Sequence, residues 1–182
     1  MLHCLKNQVV GGISIFVDGL HVARKLRESH PADFDILTKI PVPYHYIVDG
    51  HHLHNEHVTI ELAPPSIFST SSSEPQISQI SYNPHTQAPL FLNTPMEFYS
   101  AFARFAKMLN DPMNTYEYTL REGDAVVFDN RRVLHARTAF RDKPGVGLKP
   151  GEINRWLKGC YIETETLADR VRMLRAKLEN EN

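Results

Sequence analysis

The sequence predicts an α+β fold: a jelly-roll (double-stranded β-helix) core with helices packed outside it. Short apolar or alternating runs recur along the chain, among them Pro43-Tyr44-His45-Tyr46-Ile47-Val48, Thr115 to Leu120 and Ala125 to Phe128. They are separated by Gly, Pro and Asp turns, as half-buried strands are. Two stretches instead carry helical spacing, Phe98, Ala101, Phe102, Phe105 and Leu109, then Leu167, Val171, Leu174 and Leu178.

The 182 residues suffice for one domain with a substantial core, and 42% hydrophobic with 23% charged residues is ordinary globular composition. A net charge of -1 argues against a nucleic-acid or membrane partner. Cys4 and Cys160 make no disulfide framework and point to a reducing, cytoplasmic compartment. No apolar run approaches the roughly 20 residues of a membrane span, and the start lacks a signal-peptide pattern. Met1 opens directly into Leu2-His3-Cys4-Leu5, which reads as the interior of a strand. The expectation is therefore one domain over 1–182 whose core is incomplete for want of a preceding part.

In chain order, Gly11-Gly12 ends a first strand, and Ser14 to Val17 reads as its partner. Asp18 is placed to cap a helix through Val22, Ala23 and Leu26 that stops near Pro31. A short helix over Phe34 to Leu37 precedes the strand Pro43 to Val48. His51-His52-Leu53-His54-Asn55-Glu56-His57 reads as a polar loop, Val58 to Leu62 as a strand, and Ala63 to Pro75 as the least ordered stretch. A variable insertion is expected over 63–81, with strand character returning from Ile77 to Tyr82. Thr94-Pro95-Met96-Glu97 reads as a helix start, with Thr94 as cap and Glu97 closing a capping box. Thr115 to Leu120 and Ala125 to Phe128, joined by Glu122-Gly123-Asp124, read as a hairpin. Phe140 to Ile153 reads as a loop, Arg155 to Ile162 as a strand, and the chain closes on an amphipathic helix.

The chemistry concentrates in Asp129-Asn130-Arg131-Arg132-Val133-Leu134-His135-Ala136-Arg137 and just beyond. His135 follows an apolar strand into a polar surround. It is either a metal ligand or a surface histidine bonded to its neighbours, and spacing alone favours the second. Arg155 opens a strand. A guanidinium there offers a planar fork for a carboxylate, and is otherwise a solvated strand-end arginine. Tyr161, six residues on, is expected on the same sheet face, lining a pocket or filling core.

Phe128 to Arg137 together with Asn154-Arg155-Trp156-Leu157-Lys158-Gly159-Cys160-Tyr161 resembles the taurine-dioxygenase-like family of iron- and 2-oxoglutarate-dependent oxygenases. Leu2-His3-Cys4, Gly11-Gly12, Val17-Asp18-Gly19, Tyr82-Asn83 and Arg172-Met173-Leu174-Arg175 fit the same family, so the resemblance runs from Leu2 to Glu179. The closing segment favours the branch that hydroxylates gamma-butyrobetaine, in carnitine biosynthesis. The trimethyllysine branch, mitochondrial in setting, is the alternative suggested by Pro41 to Ile47.

The resemblance implies roles. His135 would be the distal iron-binding histidine, and Arg155 would pair with the 5-carboxylate of the cosubstrate 2-oxoglutarate. Tyr161 would pack on a trimethylammonium group through cation–π attraction, with Asn83 nearby. Iron(II) and 2-oxoglutarate, with ascorbate as an accessory reductant, would activate dioxygen against an unactivated C–H bond of a small-molecule substrate. A homodimer is compatible with this.

The family's first histidine and carboxylate form a His-x-Asp motif expected upstream of the segment matching Leu2-His3-Cys4. The expectation is thus that the chain carries one ligand of three and is inactive alone. His54-Asn55-Glu56 offers the right donor types but matches no metal-binding segment of the family, and His51, His52 and His57 read as surface histidines. A non-catalytic module remains the alternative from another class.

Overall fold

The computed structural model describes residues 1–64, 75–145 and 152–180. In chain order it contains β1 (Leu2–Asn7), β2 (Val9–Gly11), β3 (Ser14–Asp18), α1 (Gly19–Ser29), α2 (Pro31–Leu37), β4 (Pro41–Val48), β5 (His51–Val58) and β6 (Ile60–Leu62). There follow β7 (Ile77–Ile80), α3 (Met96–Leu109), β8 (Thr115–Tyr118), β9 (Ala125–Val126), β10 (Val133–Arg137), β11 (Phe140–Asp142), β12 (Arg155–Gly159) and α4 (Thr164–Asn180). The expected insertion and the 140–153 loop lie in part outside the described residues. The chain divides into two compact units. A terminal unit takes Met1–Ile13, Thr119–Phe128 and Thr138–Asn182, and a helical unit takes Ser14–Tyr118 and Asp129–Arg137.

The helical unit holds the hydrophobic core. Asp18 is extended and its carboxylate accepts from the His21 N–H at 3.1 Å, capping α1 as expected. Val22, Ala23 and Leu26 are the buried face of α1. Pro31 occupies the start of α2, where its missing N–H costs nothing. On α3, Phe98, Ala101, Phe105 and Leu109 are buried, and Phe102 packs beside them. These faces meet Val17, Leu37, Val42 and Ile60 in one cluster. Fully burying a phenylalanine such as Phe98 or Phe105 is worth about 2–3 kcal/mol of transfer free energy. The start of α3 differs from expectation. Pro95 takes extended backbone (φ -68, ψ 149) as the cap residue, and no side chain caps the helix. That choice starts the helix at Met96, which leaves Thr94 one position too far out for a capping box.

Two strand pairings also differ. β3 does not pair with β1; it lies between β10 and β8 in an antiparallel sheet, while β1 lies between β12 and β9. Gly11 (φ 85) and Gly12 (φ 66) both take left-handed backbone after β2, and a Cβ on Gly11 would collide with the Ala139 carbonyl. Likewise β8 and β9 are not a hairpin. In the turn between them the Gly123 N–H donates to the Cys4 carbonyl at 2.9 Å, which commits β9 to β1.

His51–Val58 is a strand rather than a loop. It pairs with β4 from Pro41↔Val58 to Val48↔His51 across a two-residue turn, Asp49-Gly50, both at positive φ (48 and 80). This is the turn geometry whose twist matches a hairpin. Phe140–Asp142, expected as loop, pairs with β2. The last helix forms, with its apolar stripe about half exposed: Leu167 is 49%, Leu174 45% and Leu178 62% exposed.

Candidate active site

His135 sits in the middle of β10, opposite Phe16 of β3. The turn before it is built by Asp129, whose carbonyl accepts from the Val133 N–H at 2.8 Å and whose side chain accepts from the Arg131 N–H at 2.9 Å. The Arg131 carbonyl then receives the Ile80 N–H, and the Arg132 carbonyl the Gly19 N–H, each at 2.9 Å. Two adjacent residues of the turn are thereby tied to β7 and to the β3–α1 junction. A Cβ on Gly19 would lie 3.0 Å from the Arg132 oxygen, so the Val17-Asp18-Gly19 sequence is matched to this close approach. The His135 ring retains solvent access, yet lost hydration lowers its pKa below the ordinary histidine value. The neutral imidazole, the form that binds metals, is therefore favoured near neutral pH.

Asn83 lies in the same unit after β7, exposed, in a tight turn. Its Oδ1 accepts from the His85 N–H at 3.2 Å and its carbonyl from the Thr86 N–H at 3.2 Å. Beside it the Tyr44 hydroxyl donates to the Ser81 carbonyl at 2.9 Å, and burial pushes the Tyr44 pKa up to about 12.

Arg155 is in the terminal unit, first residue of β12, half-buried, opposite Asn7 of β1. Its Nη2 donates to the Gly12 carbonyl at 3.4 Å, and its guanidinium carbon lies 5.3 Å from the centre of the Phe140 ring. The preceding Asn154 is buried, donates to Asp142 Oδ1 at 3.2 Å and accepts from the Gln8 N–H at 2.8 Å. The residue entering β12 is thereby tied to β11 and to the link between β1 and β2. Tyr161 does not share a strand face with Arg155 as the spacing suggested, because β12 ends at Gly159. It is 87% exposed, next to Cys160, whose N–H and C=O both bond to Met1.

The alternative donors lie elsewhere. His54 and Glu56 stand two apart on the exposed strand β5, opposite His45 and Pro43, with the His45 and His52 rings 5.9 Å apart. Among the described residues, no three His, Cys, Asp or Glu side chains are gathered as a metal site. An open concavity of about 390 Å³ on this hairpin is lined by Tyr44, His45, Tyr46, Leu53, His54 and Asn55. It includes no residue of the His135 or Arg155 blocks. Local sequence does not mark Gly12 and Phe140 as neighbours of Arg155. The Gly11-Gly12 pair signals a break, but nothing local ties either residue to Arg155.

The chain belongs to the taurine catabolism dioxygenase TauD, TfdA family, whose pattern matches residues 1–161. It is 54% identical over 174 residues to dioxygenase str8 of Strobilurus tenacellus, covering 96% of this chain and 39% of that protein. It is 32% identical over 189 residues to human gamma-butyrobetaine dioxygenase, covering 100% of this chain and 44% of that one. The crystal structure of a taurine dioxygenase from Burkholderia xenovorans superposes with a TM-score of 0.57 at 17% identity, over 86% of this chain and 48% of its own. That likeness bears on the fold, which is of the TauD jelly-roll kind. The chain spans about two fifths of the length of the curated relatives it matches. No helix among the described residues is long and apolar enough to cross a membrane.

Proposed function

We propose that this chain carries part of the active site of an iron(II)- and 2-oxoglutarate-dependent dioxygenase acting on a small trimethylammonium compound, with gamma-butyrobetaine as the first candidate. Arg155 anchors the distal carboxylate of 2-oxoglutarate, His135 is one iron ligand, and Tyr161 and Asn83 face the substrate. The observation that carries the reading is the setting of Arg155. A half-buried guanidinium at a strand start, backed by an aromatic ring, has the planar donor fork that a carboxylate requires.

The donor chemistry fits the two groups unequally. Arg155 suits 2-oxoglutarate. For iron, the described residues provide His135 without two companions, so the full facial set of two histidines and a carboxylate is not met within them. When bound together, iron and 2-oxoglutarate supply oxidising power; this chain's own residues orient the oxo acid and hold the substrate cation. A second reading, a binding module without turnover, is favoured by that unequal fit. Trimethyllysine remains the competing substrate, on the strength of Pro41 to Ile47.

The test is 2-oxoglutarate consumption with gamma-butyrobetaine or trimethyllysine. It is run on the 182-residue chain and on a chimaera preceded by the His-x-Asp segment of a relative. The enzyme reading expects turnover by the chimaera that His135→Ala or Arg155→Ala abolishes. Turnover indifferent to both substitutions overturns it. Turnover by the short chain alone, lost in His54→Ala, moves the metal site to β5.

A further inference from the structure

We infer that Phe140 and Gly12 are positioning residues for Arg155, holding its guanidinium in the orientation in which it receives a dicarboxylate; this rests on the reading of Arg155 just given. The three residues come from separate elements. β2 and β11 pair with Gly11 opposite Phe140, and the chain turns at Gly12. β12 enters from β1 and brings Arg155 to the same spot. The Phe140 ring lies 5.3 Å from the guanidinium carbon, within cation–π range. The Gly12 carbonyl accepts from Nη2 at 3.4 Å.

Gly12 also makes room. A Cβ there would stand 2.9 Å from Arg155 Nε, 3.4 Å from its Cδ and 3.3 Å from Phe140 Cβ, and φ is +66. Any larger residue at Gly12 would push the arginine stem off the ring. A long, flexible side chain is thus held by a ring on one side and backbone on the other. Preorganisation of this kind raises affinity by reducing the entropy lost on binding. Arginine placed this way presents its fork; a lysine would present only a point charge.

The experiment uses the 182-residue chain and two readouts, titration with 2-oxoglutarate and with glutarate, and the NMR signal of the Arg155 Nε–H group. In the wild type that signal is expected upfield, displaced by the Phe140 ring current. Phe140→Leu should return it to the random-coil position and weaken dicarboxylate binding about 2- to 5-fold, the size of an exposed cation–π contact. Phe140→Tyr should restore both. Gly12→Ala should act in the same direction, and Phe140→Leu covers the case in which that variant does not fold. If Arg155→Lys weakens binding while Phe140→Leu changes neither readout, the positioning role is wrong and the function stands. If Arg155→Lys leaves binding intact, or the wild type binds neither acid, the function reading fails. The position of the Nε–H signal then decides the Phe140 contact by itself: a random-coil value in the wild type overturns it.

Discussion

Arg132 reaches back to Asp18. Its Nε lies 3.1 Å from both carboxylate oxygens and its Nη2 2.5 Å from one of them, joining the turn before His135 to the cap of α1. One carboxylate therefore serves two ends, since it also accepts the His21 N–H. The ion pair is partly exposed, so the helix cap is expected to outweigh the charge interaction.

Asp18→Ala should destabilise the fold by about 1 kcal/mol through the lost cap, and Asp18→Asn by less, because the amide oxygen still caps. The Arg132 hydrogen bond holds the Asp18 carboxyl below the usual carboxylate pKa. Its contribution is therefore present above the unfolded value near 3.9 and disappears as pH falls through the lower folded value. Denaturant midpoints between pH 2 and 6 would show this as an acid-side loss shallower in Asp18→Asn. Identical acid profiles in the two proteins would count against it.

Tyr44 makes the opposite, alkaline prediction. Its folded pKa, pushed up to about 12 by burial, exceeds the unfolded value near 10. The unfolded chain loses the phenolic proton first, so stability is full below pH 10 and falls as pH rises towards 12. The two-unit difference corresponds to a loss on the order of 2–3 kcal/mol. Tyr44→Phe should flatten that decline and, by leaving the Ser81 carbonyl without its donor, cost about 1 kcal/mol at neutral pH. Urea melts at pH 8 and pH 11 provide the check.

The β4–β5 hairpin depends on Asp49 and Gly50 at positive φ. A Cβ on Gly50 meets nothing within 4 Å, so Gly50→Ala costs only the backbone strain, about 1–2 kcal/mol. A two-stranded ribbon has little stability to spare. The expected result is faster amide exchange in His51 to His54 with exchange in α3 unchanged. Equal acceleration in both would mean the hairpin is not a separable unit.

Along α4, Leu167 and Leu174 are about half exposed. Replacing both with serine removes half-buried surface and lowers helix propensity, and should destabilise the fold by no more than about 1–3 kcal/mol. A loss above about 4 kcal/mol would show that this stripe is fully packed in solution.

Much of this was legible locally. The Asp18 cap, the Pro31 helix boundary and the core face of α3 follow from residue types at fixed offsets, because capping and amphipathic spacing act within one or two turns of chain. Asp49-Gly50 carried an equally local hairpin signal. The polar, histidine-rich composition of His51 to His57 concealed it, because the tip of that ribbon is exposed on both strands and shows no apolar alternation. The Asp129 to Arg137 and Asn154 to Tyr161 blocks identified the family without any structure.

Strand partnership belonged to the tertiary structure. β1 with β12, and β3 with β8 and β10, join residues about a hundred or more positions apart, and strand periodicity does not encode which edge a strand meets. The same holds at Arg155. The sequence alone determined that an arginine of the right type opens a strand. That Gly12 leaves it room and Phe140 lies against it was decided by β2, β11 and β12 meeting in space, since a side chain's orientation depends on neighbours the chain brings from afar.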